Sequence, residues 1–247
     1  HPRYASLITR EKIAEGVEKG IASIHGLIAH GRGEAFDYLL GEKTTNAAKK
    51  SIDSAAALLL LAKHPVISVN GNAAALAAKE LVQLSKSINA KLEVNVFHPS
   101  TKRELKIKKE LIRNGAKEVL LPQKNCTIKH LDSNRKYVNW NGILKADVVF
   151  VPLEDGDRTE SLVKNGKKVI VVDLNPLSRS AKKATITIVD NIVRAVPLLV
   201  EAIKKYKKIN RNKLKAILKS YNNKPVLKNS LQEIISNLSQ YMPQNFP

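Results

Sequence analysis

Apolar positions along the chain recur at two spacings, and their alternation predicts the architecture. Over residues 6–20 they fall every third or fourth position, with Ile13, Val17 and Ile21 on one side, which predicts a helix. A second helix is predicted over 45–63, with Thr44 or Thr45 placed to cap it. Short β-branched runs then read as strands at 65–70, 92–97, 118–121, 146–151, 168–172 and 185–189. Helical patterns at 73–88, 100–114, 159–165 and 191–206 separate most of them. Residues 122–142 are polar and follow neither period, and the tail carries helical patterns at about 210–221 and 227–242. Buried strands interleaved with helices of ordinary length predict an α/β protein built on an open, largely parallel sheet. The reading is one α/β domain over 1–247: an N-terminal helical part to about 64, a core to about 206, then C-terminal helices.

Composition narrows the classes. No apolar run approaches the roughly 20 residues that span a bilayer; the longest, 55–62, lies inside a helical pattern, and no signal peptide is visible, so a cytoplasmic protein is expected. A single cysteine, Cys126, excludes an internal disulfide and a cysteine-rich zinc site. The formal net charge of +20 raises nucleic-acid binding as an alternative. From residue 201 onward ten Lys or Arg face only Glu201 and Glu233. The excess is mostly lysine, which often only keeps a surface soluble. Aromatics are 4% of the chain, too few to interleave as a stacking platform. The helix at 45–63 is apolar over nearly its whole circumference after Ser54, more than the stripe a sheet-covering helix needs. A second subunit is the expected cover, because the C-terminal helices look too rich in lysine to supply it.

In open α/β sheets ligands bind beyond the carboxyl ends of the strands, and candidate chemistry gathers there. The first strand runs into Asn70-Gly71-Asn72, a turn that caps the next helix or a binding corner; the second runs into His98-Pro99. The run Glu154-Asp155-Gly156-Asp157-Arg158 reads as a solvated acidic loop or as oxygen ligands for magnesium. The loop from Asp173 to Ser180 has the short polar side chains, arginine and proline of a nucleotide cradle. Upstream, Gly31-Arg32-Gly33, ahead of an expected helix, reads as a glycine-flanked arginine fork for phosphate or carboxylate, with His30, Glu34 and Asp37 close by, or as a glycine-rich turn whose charges are only solvated. Gly41-Glu42-Lys43-Thr44 echoes a P-loop, but Glu42 interrupts it and no Gly-x-Gly-x-x-Gly follows a strand. The histidines show no metal-site spacing, and no resident metal is expected.

The run from Gly26 to Glu42 resembles the archaeal phosphopantothenate synthetases, also called 4-phosphopantoate–β-alanine ligases. So do His1-Pro2-Arg3-Tyr4 with Arg10-Glu11, residues 65–72, residues 154–158, residues 173–179 and residues 186–192. The resemblance implies a homodimeric, Rossmann-like enzyme that joins 4-phosphopantoate to β-alanine with ATP and Mg2+, releasing AMP and pyrophosphate through an acyl-adenylate. It implies ATP-binding positions at Arg10, Arg32, Asp173, Leu174, Asn175, Arg179, Ser180, Asn191, Ile192, Val193 and Arg194. Arg32 is expected on the phosphates, with Asp173 or Asn175 at the adenine or ribose edges. Asn70, Asn72, His98 and Arg103 are placed at the phosphopantoate end, and His30 is the candidate base for the amine. An ADP-forming kinase acting on pantoate is the rival within the same fold.

Overall fold

The computed structural model describes residues 4–240; the motif residues His1, Pro2 and Arg3 and the end of the last expected helix lie outside them. Five strands form one all-parallel sheet: β1 (Pro65–Val69), β2 (Lys91–Val94), β5 (Val148–Pro152), β6 (Lys168–Val172) and β7 (Ile186–Ile188), in the order β2-β1-β5-β6-β7. Their residues are almost wholly buried, as expected of strands covered on both faces. The chain leaves β1 toward one edge and returns at β5 on β1's other side. Strand order therefore reverses between β1 and β5, the place where such sheets open a crevice.

Helices α3 (Asn46–Leu61), α4 (Gly71–Ile88) and α8 (Ile192–Tyr206) pack together with one face in the larger hydrophobic core. Short side chains start each of them: Thr45, Asn70 and Asn191 accept from the amides of Ala48, Ala73 and Val193. The expected strand at 118–121 is reduced to a single parallel bridge between Glu93 and Leu120. The unassigned 122–142 segment folds as an antiparallel pair, β3 (Gln123–Thr127) with β4 (Tyr137–Val138), followed by a wide turn at Trp140–Leu144. It covers the opposite sheet face with Cys126, Ile128, Val138 and Ile143.

Buried Glu93 anchors that wide turn. Its two carboxylate oxygens accept from Asn139 N at 2.9 Å and Ile143 N at 2.6 Å. A Cβ on Gly142 would sit 1.9 Å from Glu93 Oε2, so only glycine fits there. Burial pushes the Glu93 carboxyl up to about 7 against the pull of those two amides. An acid raised in the native state stabilises it fully below its ordinary value of 4.5 and loses that contribution as pH rises through about 7. The stability difference between wild type and Glu93→Gln should accordingly vary between pH 5 and 8, measured by urea unfolding. A difference independent of pH would show that Glu93 does not titrate there.

Two expectations change. The glycine-rich segment is not a loop: α2 (Ile24–Leu39), capped by Ser23, runs through Gly26, Gly31 and Gly33 without a break. Nor does α3 wait for a second subunit. Helices α9 (Arg211–Lys219) and α10 (Asn223–Gln240) of the same chain pack on it. Both are amphipathic: Leu214 of α9 and Val226 and Leu227 of α10 are buried, while Lys213, Lys215 and Lys228 are exposed. Lysine content misled because the charges radiate from the far side.

Candidate functional site

A cavity of about 720 Å³ opens at the carboxyl end of the sheet. One wall is a face of α2, carrying His25, Ala29, Arg32 and Phe36 at three- and four-residue steps, with His30 and Gly33 beside them. The floor comes from the segments after β1, β2, β5, β6 and β7. The N-terminal residues of α4, α8 and α6 (Gly156–Lys164) reach it, bringing the partial positive charge of helix starts to one space.

Helix α2 is seated by its own acids. Asp37 accepts from Arg194 Nη2 at 2.5 Å and from Asn191 Nδ2 at 2.8 Å. Arg194 also donates from Nε to Asp190 at 2.9 Å, and Thr44 donates to the other oxygen of Asp190 at 2.6 Å. Arg10, on α1 (Tyr4–Glu18), meets both oxygens of Glu34 at 2.9 Å and the Tyr38 hydroxyl at 3.0 Å. At the other end Asn72 donates to Gly26 O at 2.8 Å. Gly26 and Gly71 are close-approach positions: a Cβ on Gly71 would lie 2.4 Å from Ile21 O. These ties fix the helix that presents Arg32 and His30.

Arg32 itself is exposed to the cavity and makes no hydrogen bond or ion pair among the described residues. Its charge helps hold down the Asp173 carboxyl, which burial raises; Asp173 also accepts from Ser178 Oγ at 2.5 Å and Asn175 N at 2.9 Å. His30 Nε2 is buried with no partner among the described residues, and burial lowers the pKa of the imidazole below its usual value. The imidazole is therefore neutral near pH 7, as a base must be.

Within the acidic run Asp157 is exposed, while Glu154 and Asp155 are neither free in solvent nor arranged as a magnesium cage. Glu154 is fully buried and bridges Arg135 and Arg158. Asp155 caps α6 through Arg158 N at 2.9 Å and accepts from Arg135 at 2.5 Å, and Asp157 pairs with Arg179. Every carboxylate of the run already faces a cation. Among the described residues no three His, Cys, Asp or Glu side chains cluster as a metal site.

A family model described as phosphopantothenate/pantothenate synthetase matches residues 47–237. The curated 4-phosphopantoate--beta-alanine ligase of Thermococcus kodakarensis is 53% identical over 241 residues, 97% of this chain and 92% of its own length. The chain belongs to the phosphopantothenate/pantothenate synthetase family. The ligases of the same name from Thermococcus onnurineus and Methanosarcina mazei are 53% and 49% identical, over 97% and 96% of the chain and 92% and 94% of their own lengths. The relatives are archaeal ligases, and this family member is a carbon–nitrogen bond-forming ligase.

In this synthetase fold the expected site residues divide. Arg32, His30, Asn70, Asn72, His98, Arg103, Asp173, Leu174, Asn175, Arg179, Ser180, Asn191 and Ile192 line one cavity. Arg10, Val193 and Arg194 do not; Val193 packs on the core, and the two arginines hold acids of α2. Several lining side chains are committed to protein. Asn70 caps α4 and donates to Leu153 O at 2.6 Å, and Ser180 donates to Glu154 O at 2.7 Å. The 173–180 loop ends in a short helix, α7 (Arg179–Lys183), with Arg179 paired to Glu160 and Asp157. Sequence reasoning missed Arg135, His25 and Phe97 at the cavity.

Proposed function

We propose that this ligase condenses 4-phosphopantoate with β-alanine at the expense of ATP, a step of coenzyme A biosynthesis in the cytoplasm. The observation that carries the reading is Arg32, an unpaired guanidinium in a cavity large enough for nucleotide and acid together. The relatives' name supplies the two substrates.

A carboxylate is a poor acyl donor, so its oxygen must first become part of a leaving group. In the reading favoured here the pantoate carboxylate attacks the α-phosphorus of ATP. A P–O bond forms, the bond to the β-phosphate bridging oxygen breaks, and pyrophosphate departs. The deprotonated amine of β-alanine then attacks the acyl carbon, the C–O bond to AMP breaks, and nitrogen gives up a proton. Arg32 meets charge building on the α-phosphoryl oxygens, where a planar fork matches two oxygens at once. Asp173, Leu174 and Asn175 sit beneath it; the Asn175 side-chain Nδ2 has no protein partner among the described residues and suits a base or ribose edge. Ser180, Asn191 and Ile192 complete the nucleotide side, and Arg179 stands at its rim. Arg10, Val193 and Arg194 act on the nucleotide through the seating of α2 and α8. Magnesium comes as the counter-ion of the ATP phosphates and neutralises charge there. The acid lies toward Asn72, His98 and Arg103.

His30 takes the amine proton in this scheme. His30→Gln should slow turnover ~10²-fold or more and abolish the fall in rate expected of wild type at acid pH, below the usual imidazole range, as His30 protonates. A pH–rate profile unchanged in shape would remove His30 from proton transfer.

The deciding experiment combines ATP, Mg2+, 4-phosphopantoate and β-alanine and follows the nucleotide. AMP and pyrophosphate should form only when both acid and amine are present, and 18O in the carboxylate should appear in AMP. ADP as product would replace this mechanism with phosphoryl transfer.

A homodimer belongs to the same proposal. With α3 covered, the surface proposed for it is the α1–α2 hairpin, which exposes Tyr4, Leu7, Ile24 and Ile28. Light scattering should give about twice the chain mass of 27.3 kDa; a monomer at micromolar concentration would refute it.

A further inference from the structure

We propose that His25, His98 and Arg103 form a phosphate-monoester corner of the cavity, which holds the phosphoryl group of the acid substrate and makes the enzyme select the phosphorylated form. Identifying the ligand as 4-phosphopantoate rests on the function proposed above; the corner's affinity for phosphate does not.

Three separate elements bring the corner together. His25 stands in the first turn of α2, His98 in the segment after β2, and Arg103 in the first turn of α5 (Thr101–Arg113), a helix capped by Ser100. The two imidazole ring centres are 5.0 Å apart and tilted by 43°. Phe97 meets the His98 ring edge-on at 4.8 Å and limits its swing. Arg103 Nη1 donates to His98 O at 3.1 Å, tying the guanidinium to the same segment.

Apart from that one hydrogen bond of Arg103 Nη1, the donors of this corner are unspent. Arg103 Nε is buried with no hydrogen-bond partner, and no carboxylate pairs with Arg103 among the described residues. Neither imidazole has a hydrogen-bond partner among the described residues either. The cavity's acids, by contrast, are all held elsewhere. Arg10 takes Glu34, Arg135 and Arg158 take Glu154, Arg135 takes Asp155, and Asp173 is bound within its own loop. A fixed cation, two imidazoles and no competing acid are what a dianionic phosphate requires.

The spacing agrees with the chemistry. His25 and Arg32 are seven residues apart on the cavity face of α2, two turns and about 10 Å along the axis. The pantoate skeleton is short enough to lie between them, its phosphate at His25 and its carboxylate turned toward the nucleotide phosphates at Arg32. One helix face thus sets the distance between the two anionic ends of the reaction.

The test uses Arg103→Gln and, because His25 is exposed and makes no hydrogen bond that folding needs, His25→Gln. Each should raise KM for 4-phosphopantoate by ~10-fold or more, the loss expected for a charge-assisted hydrogen bond, while KM for ATP moves far less. Equal rises in both constants, or no rise in the first, would overturn the assignment. Inorganic phosphate serves as an independent probe by NMR. It should shift the ring protons of His25 and His98, identified by loss of each signal on substitution, and Arg103→Gln should weaken that response. Shifts at neither histidine would refute the corner even if ligase activity is found. Shifts at both without ligase activity would keep the corner and discard the substrate.

Discussion

Replacing Arg32 with alanine should lower kcat by ~10²- to 10³-fold, the loss typical of one transition-state donor, and leave the melting temperature unchanged or slightly raised. Both halves of that expectation follow from its position. The side chain projects from the middle of α2 into the cavity and pairs with no protein group among the described residues. Folding therefore gains little from its charge, a through-space pull on Asp173, and alanine is the better helix former. Of the other arginines, Arg10, Arg135, Arg179 and Arg194 each already face an acid, and Arg103 belongs to the corner beside His98. Arg32→Lys should recover little, because a single ammonium cannot span two phosphoryl oxygens. Steady-state kinetics with a thermal melt on the same samples tests both halves. A variant that melts early and turns over normally would make Arg32 a structural residue.

Arg32 also shows what the sequence could and could not disclose. Its importance was legible from the company it keeps, but its conformation was not. Each glycine in a helix interior costs roughly 1 kcal/mol relative to alanine, so three glycines within α2 argue locally for a loop. The helix survives because distant partners seat it, and Arg194, 157 positions away from Asp37, leaves no local trace. The strands were easier to read. A parallel strand covered on both faces is a continuous β-branched run, and β6 occupies exactly the predicted 168–172. Residues 118–121 carry the same signal but lie beyond β2, where only the Glu93–Leu120 bridge forms. Arg135 was invisible because it sits in a single short turn, Asn134–Lys136, inside a polar segment with no apolar rhythm. For Glu154 and Asp155 neither sequence reading holds, and Asp157, though exposed, is ion-paired, all for one reason. Charge spacing along a chain does not show which cations fold back to meet it.

Glu154→Gln should therefore be among the most destabilising single substitutions in the chain, costing about 3–5 kcal/mol, as expected when one partner of a buried ion pair is removed. The carboxylate is fully buried, and both its oxygens face guanidinium groups of Arg135 and Arg158. Arg158 is fully buried too, and its Nε and Nη2 already lack partners, leaving Ser68 Oγ at 3.1 Å as its other side-chain contact. Glutamine keeps the volume, so the loss cannot come from a cavity. It removes the one negative charge shared by two buried cations and turns an amide donor toward one of them. Asp157→Asn makes the comparison: its pair with Arg179 is exposed on both sides, and exposed pairs contribute at most about 1 kcal/mol. Urea unfolding of the two variants should differ several-fold in lost stability. If Glu154→Gln lost no more than Asp157→Asn, the buried bridge would not stabilise the turn from β5 into α6. With Glu154 gone, Arg135 and Arg158 repel each other beneath the cavity floor, so activity should fall through a rise in both substrate KM values rather than through the chemical step alone.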